Sequence, residues 1–202
     1  MSEVRRPVRQ RADARRSRVA ILDAAVRLLN ERPDTGLETI ASAAGVTRQT
    51  IYAHFPSREE LLSAVVGEIT EQAVAAMDAS GLDDGPAAEA LFRALDASRR
   101  TIGRYPVLLQ AIGAAAVSPQ ADRDRHTPVA DRLRRVIRRG QHSGEFDSGL
   151  APDWLVAATI ALGHAASDES DTGRMSPERA TAALRASLLR LYGAGTVDAP
   201  RI

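Results

Sequence analysis

The chain has 202 residues, no cysteine and a net charge of +1, a length that suits one soluble domain or a small domain joined to a larger one. The missing cysteines exclude a disulfide scaffold, a thiolate metal site and a cysteine nucleophile, and no apolar run reaches the ~18 residues that span a bilayer. All 27 basic residues are arginine and their distribution is uneven, with seven Arg against two acids in residues 1–20 and 16 against 20 in residues 59–202, the pattern of a polyanion-binding head on a body with another task.

The N-terminus is rich in arginine from Arg5 onward but has no apolar core behind it, so it does not read as a secretory signal. Residues 1–13 are expected to be a disordered basic arm. Ile21, Leu22, Ala25, Leu28 and Leu29 then form one apolar stripe, which predicts a first helix over about 15–31. Thr35-x-x-Glu38 reads as a capping box that opens a second helix at about 36–43, and Thr47 caps a third at about 47–54. A second box, Ser57-x-x-Glu60, opens a long fourth helix over about 58–78.

Prolines mark the remaining first turns. Pro86, Pro106, Pro128, Pro152 and Pro177 predict helices over about 86–103, 106–116, 128–142, 152–167 and 177–192, with Thr127 and Ser176 as N-caps. Gly45, Gly81, Gly144 and Gly193 stand at expected helix ends. Residues 78–86 and 117–127 read as loops and 194–202 as a disordered tail. No segment alternates with period 2, so the fold class is all-α.

The informative segment is TGLETIASAAGVTRQTIYAHFPSREELL, residues 35–62. Two short helices flank Gly45, with small Ala41, Ala43 and Ala44 before it, which is the spacing of a helix-turn-helix over about 36–55. Ile51 and Phe55 bury one face of the second helix, so Arg48, Gln49, Tyr52 and His54 project elsewhere. A recognition helix reads base edges from its N-terminal residues. Arg48 suits guanine and Gln49 suits adenine, while Tyr52, His54 and Arg58 suit phosphates. Arg5, Arg6, Arg9 and Arg11 then become an arm able to follow the DNA backbone or enter a minor groove.

The run IASAAGVTRQTIYAHFPSREELL, preceded by SRVAILDAAVRLLNER, resembles the DNA-binding signature of TetR-family transcriptional repressors over about residues 15–65. The resemblance implies an Ω-shaped homodimer in which an N-terminal three-helix helix-turn-helix domain (residues 14–60) is followed by a C-terminal bundle of about five to six helices (61–193) for ligand binding and dimerisation. It implies DNA-facing positions for Thr47, Arg48, Gln49, Thr50, Tyr52, His54 and Arg58. The link ERPDTGLETIA is about two residues shorter than the family's common form, which brings the second helix's approach to the DNA backbone into question.

The body says less. Leu91, Phe92, Leu95, Arg99 and Ile102 lie along one helix face, which turns Arg99 toward the core. Phe92, Arg99, Tyr105, Leu108, Trp154 and His164 are the expected lining of an effector pocket. Ala161 and Ala165 on one helix and Leu184, Leu188 and Leu191 on the next are the expected dimer interface. No Gly-rich phosphate loop, GxSxG elbow or HExxH occurs, so no catalytic residue, metal site or cofactor is expected beyond an unidentified small-molecule inducer.

The function expected is therefore a bacterial, cytoplasmic, nucleoid-associated repressor that binds a near-palindromic double-stranded operator as a dimer and is released by an inducer. The alternative is a DNA-binding regulator with no small-molecule ligand, controlled by a protein partner or by abundance.

Overall fold

The computed structural model describes the backbone of residues 5–113 and 119–194 and the side chains of residues 11–109 and 126–194. Among the described residues are nine helices and no strand: α1 (Arg5–Glu31), α2 (Leu37–Ala43), α3 (Arg48–His54), α4 (Arg58–Asp78), α5 (Ala87–Ile102), α6 (Pro106–Gly113), α7 (Pro119–His142), α8 (Pro152–Asp171) and α9 (Pro177–Leu191). None is long and apolar enough to cross a membrane. The all-α reading holds.

Two helix starts differ from expectation, each for a reason of proline chemistry. Helix α1 begins at Arg5, so residues 5–13 are helical where a disordered arm was expected. Arg, Gln and Ala are good helix formers, and Pro7 falls in the first turn, where its missing N–H removes no intrahelical bond. Helix α7 begins at Pro119 and carries Pro128 in its interior. Pro119 takes the first-turn position expected of Pro128, so Thr127 lies within α7 and not at its N-cap, and residues 119–127 are helical where a loop was expected. Residues 114–116, expected to end the helix that starts at Pro106, and residues 195–202 of the expected tail lie outside the described residues.

The chain divides into two compact units. The first takes in the chain as far as Gln72 together with Thr101–Asp122; the second comprises Ala73–Arg100 and the chain from Arg123 onward. The expected boundary after residue 60 falls inside the first of these units. Leu61, Val65, Val66 and Ile69 from α4, and Leu108 from α6, are buried in one core with Ile21, Ala25 and Leu29 of α1, Ile40 and Ala41 of α2, and Ile51 of α3. Helix α1 packs against α2, α3 and α6. Asn30, the one asparagine, ties α6 to α1: its Nδ2 donates to the Arg104 carbonyl at 3.1 Å and its Oδ1 accepts from the Leu108 N–H at 3.4 Å. The second contact satisfies an orphan donor in the first turn of α6.

The second unit packs α8 on α9 and buries a rotated face of α5. Ala87, Ala90, Leu91, Ala94 and Ala97 are buried, while Phe92 and Leu95 are only partly so. The small residues face inward because they let a neighbouring element approach closely. Arg99, expected on the core face, is consequently 54% exposed and lies 3.9 Å from Asp96.

Gly140 of α7 accepts from the N–H groups of Glu145 and Phe146 at 2.9 and 3.0 Å. Phe146 is buried and stacks on Tyr192 with ring centroids 4.7 Å apart. The Tyr192 hydroxyl bonds to that of Thr159. Burial pushes the phenol up to about 12 from its usual 10.0.

Two predictions follow from this packing. A Cβ at Gly140 would lie 2.3 Å from Cδ2 of the Phe146 ring, far inside van der Waals contact. Overpacking costs about 1–3 kcal/mol and outweighs the ~1 kcal/mol an alanine contributes to helix propensity, so Gly140→Ala should lower unfolding free energy in a denaturant titration; an unchanged or raised midpoint contradicts this. Because the Tyr192 pKa is raised on folding, its contribution is fully present below pH 10 and is lost as pH rises toward about 12. Tyr192→Phe should flatten stability against pH in that window, and an unaltered slope counts against the burial of this phenol.

Candidate nucleic-acid interface

The helix-turn-helix is held by one seam. Gly45 adopts φ 67°, the left-handed conformation that the tight turn between α2 and α3 requires. The Ala44 and Val46 N–H groups donate to Ile40 and Ala41 carbonyls at 2.9 and 3.0 Å. Thr47 caps α3 as expected: its Oγ1 accepts from the Thr50 N–H at 3.1 Å and lies 2.8 Å from the Thr50 hydroxyl. Ile51 and Phe55 are buried, which fixes the rotation of a helix only seven residues long.

That rotation decides what the helix offers. Thr47, Arg48, Gln49 and Tyr52 are exposed, whereas Thr50 and His54 are half-buried at the flanks. Arg48 sits beside Tyr52, its Cζ 5.5 Å from the ring centroid, and its Nη1 lies 2.5 Å from Glu38 Oε1. Arginine, glutamine and tyrosine on one exposed face of a short helix offer the kinds of donor and acceptor that contact base edges and phosphates.

Three expectations in this segment change. Thr35 and Glu38 form no capping box: Gly36 is the N-cap of α2, without a side-chain cap bond, and the Thr35 hydroxyl instead donates to the Arg32 carbonyl at 2.7 Å. At the second box the Ser57 hydroxyl does accept from the Glu60 N–H at 3.2 Å. The carboxylate held near it is that of Glu59, kept below the usual range by its own backbone N–H and then by the Ser57 hydroxyl. Arg58, expected at a phosphate, reaches inward: Nη1 donates to the Thr35 carbonyl at 2.5 Å and Nη2 to that of Pro33. It clamps the short link between α1 and α2.

Two side chains here take parts that the local sequence does not mark. Glu38 was read as a cap, which hid its reach across to Arg48. Arg18 is exposed on α1 with its Cζ 5.4 Å from the Phe55 ring centroid; nothing local marks it among its arginine neighbours. Arg11 is exposed, and the side chains of Arg5, Arg6 and Arg9 lie outside the described residues.

The expected pocket residues fall in different units. Tyr105 and Leu108 belong to the first, where Leu108 is core and the Tyr105 hydroxyl donates to Gln72 Oε1 at 2.9 Å. Tyr105 and Gln72 border a cleft of about 400 Å³ with Asp23, Arg27 and Asn30. Phe92, Arg99, Trp154 and His164 belong to the second unit. Phe92 lies under Arg185, Cζ to centroid 5.1 Å. Trp154, expected as a pocket wall, is 61% exposed, and His164 is exposed with its ring 5.0 Å from that of His126. Of the expected dimer residues, Ala161 and Ala165 are exposed, Leu184 and Leu191 pack against the core of the second unit, and Leu188 is buried within it. Leu188 is therefore core of its own chain and unavailable to a partner.

Comparison with known proteins agrees with this reading of the segment. Residues 21–65 match the family model described as bacterial regulatory proteins, tetR family. The chain is 36% identical over 170 residues to the HTH-type transcriptional regulator EthR of Mycobacterium tuberculosis, covering 78% of this chain and 73% of that one. It is 38% identical over 81 residues to the HTH-type transcriptional repressor LfrR of Mycolicibacterium smegmatis, a match that spans 40% of this chain and 43% of LfrR. The fold resembles the crystal structure of LfrR in complex with proflavine, with TM-score 0.58 and 24% identity over 92% of this chain and 98% of that one. It also resembles that of RolR in complex with resorcinol, with TM-score 0.71 and 21% identity over 95% and 98%.

The inward reach of Arg58 gives this site its own test. Hydrogen bonds from a charged donor to backbone carbonyls contribute about 1.5–3 kcal/mol each at most, and partial exposure discounts that. Arg58→Ala should therefore lower unfolding free energy by about 1–2 kcal/mol as well as weaken DNA binding. A variant of unchanged stability that binds DNA less tightly would return Arg58 to a phosphate-contact role.

Proposed function

The chain belongs to the tetR family of helix-turn-helix transcriptional regulators, and from that premise we propose that it is a repressor that binds a near-palindromic operator as a homodimer and leaves it on binding a small-molecule effector. The observation that carries the proposal is the presentation of α3. Ile51 and Phe55 are buried, and Arg48, Gln49 and Tyr52 are exposed on the opposite side. Arg48 reads guanine and Gln49 adenine from the major groove. Thr47, Thr50, Tyr52 and His54 hold the helix against phosphates.

Charge supports the docking. Helix α1 extends from Arg5, so Arg5, Arg6, Arg9 and Arg11 lie along a helical extension of the head rather than a loose arm, and they draw it toward the DNA backbone. Each phosphate that they neutralise steepens the salt dependence by about one unit of slope.

Two recognition helices on one operator need a dimer, because half-sites lie about one helical turn, ~34 Å, apart. The exposed Ala161 and Ala165 of α8, with the exposed Trp154 on the same helix, supply small and apolar surface for a partner's helices. Repression is suggested by the relationship to LfrR. An effector is suggested by the two similar proteins, LfrR in complex with proflavine and RolR in complex with resorcinol. For such a molecule to switch the protein it must favour the released conformer by about 1–3 kcal/mol.

Arg48→Ala tests the reading at its centre. On the DNA fragment that the protein selects, the substitution should cost about 1–3 kcal/mol and relax preference at a single guanine, with binding to random DNA much less affected. An unchanged ratio of selected to random affinity would show that Arg48 reads no base.

A further inference from the structure

The Glu38–Arg48–Tyr52 cluster is unexplained by the fold. Glu38, in the first turn of α2, and Arg48, in the first turn of α3, pair at 2.5 Å although their side chains are 61% and 71% exposed. An ion pair so open to water adds little to stability, and the packing of α2 on α3 is already secured by Ile40, Ala41 and Ile51. A carboxylate on this face is also costly in use, since it repels the phosphates that the head must approach.

What the pair does is restrict Arg48. A free arginine side chain has many rotamers and loses them on binding. Here the carboxylate holds one guanidinium nitrogen while the Tyr52 ring lies 5.5 Å from Cζ, so the plane is held on two sides. A guanidinium carries five N–H donors; guanine O6 and N7 take two, which leaves donors for Glu38.

We propose that Glu38 is a positioning residue for base readout: it preorganises the Arg48 guanidinium for guanine and, by its charge, penalises DNA on which Arg48 finds no partner. The proposal rests on the DNA-binding reading above and names a determinant of its specificity. Glu38 thereby raises discrimination at the expense of overall affinity, the opposite of what a phosphate-contacting or purely structural residue does.

The experiment uses the full chain as wild type, Glu38→Gln, Glu38→Asp, Arg48→Ala and the Glu38→Gln/Arg48→Ala double variant, each titrated with the selected fragment and with a scrambled duplex of equal length. Glu38→Gln should bind scrambled DNA about two- to threefold more tightly, one repulsive charge having gone, while its selected-to-scrambled ratio falls about three- to fivefold, the reach of one exposed ion pair. Glu38→Asp keeps the charge but withdraws the carboxylate, so it should lose discrimination without gaining affinity for scrambled DNA. In the Arg48→Ala background Glu38→Gln should leave the ratio unchanged. Thermal unfolding should be unmoved throughout the Glu38 series, which separates readout from folding. A discriminating wild type whose Glu38→Gln variant keeps the same ratio, or loses it equally without Arg48, overturns the proposal alone. A wild type that discriminates no sequence overturns it together with the DNA-binding reading.

Discussion

A helix of seven residues does not hold itself together in water, because nucleation is costly and only a few backbone bonds follow it. Helix α3 exists because Ile51 and Phe55 are buried in one core with residues of α1, α2 and α4. The same burial commits Arg48, Gln49 and Tyr52 to the outside, so one apolar contact both creates α3 and sets its rotation. Gly45 adds the left-handed backbone conformation with which α2 and α3 meet at so short a turn. The chemistry of the interface depends on this seam.

The elements around it act to keep the seam in place. Arg58 fastens the link between α1 and α2 through two backbone carbonyls, and the buried residues of α4 extend the head's core beyond the helix-turn-helix itself. Asn30 carries the connection from α1 to the start of α6. These are polar ties over a continuous apolar core. They position the helices, while the hydrophobic contacts supply most of the stabilisation.

Much of this was legible in sequence because the signals were local. The Thr47 cap, the glycine at the turn and the Ile51–Phe55 spacing each act within four residues, and the structure keeps all three. Signals that depend on distant partners misled. Thr35 had the composition of a cap, yet its hydroxyl turned back to Arg32 and Gly36 took the position. Pro128 had the flavour of a helix start, yet Pro119 offered the same signal earlier. Helix α5 shows the limit most clearly. Spacing identified a stripe through Phe92, Leu95 and Arg99, but the choice between that stripe and the adjoining alanines is made by which neighbour can approach, and the alanine side is the one buried. The exposure of Trp154 is likewise a property of packing and not of its own helix.

The central claim is that a head built on this seam reads sequence and does more than attract phosphate. Selection of fragments from the source genome by the purified full chain, followed by salt titration of the best fragment, tests it most directly. The account predicts an enriched near-palindrome, bound by two copies of the chain, with affinity at least about 10³-fold above random DNA at physiological salt. Uniform weak binding with a steep salt slope and no enriched sequence would contradict it, leaving the arginines as a general polyanion patch.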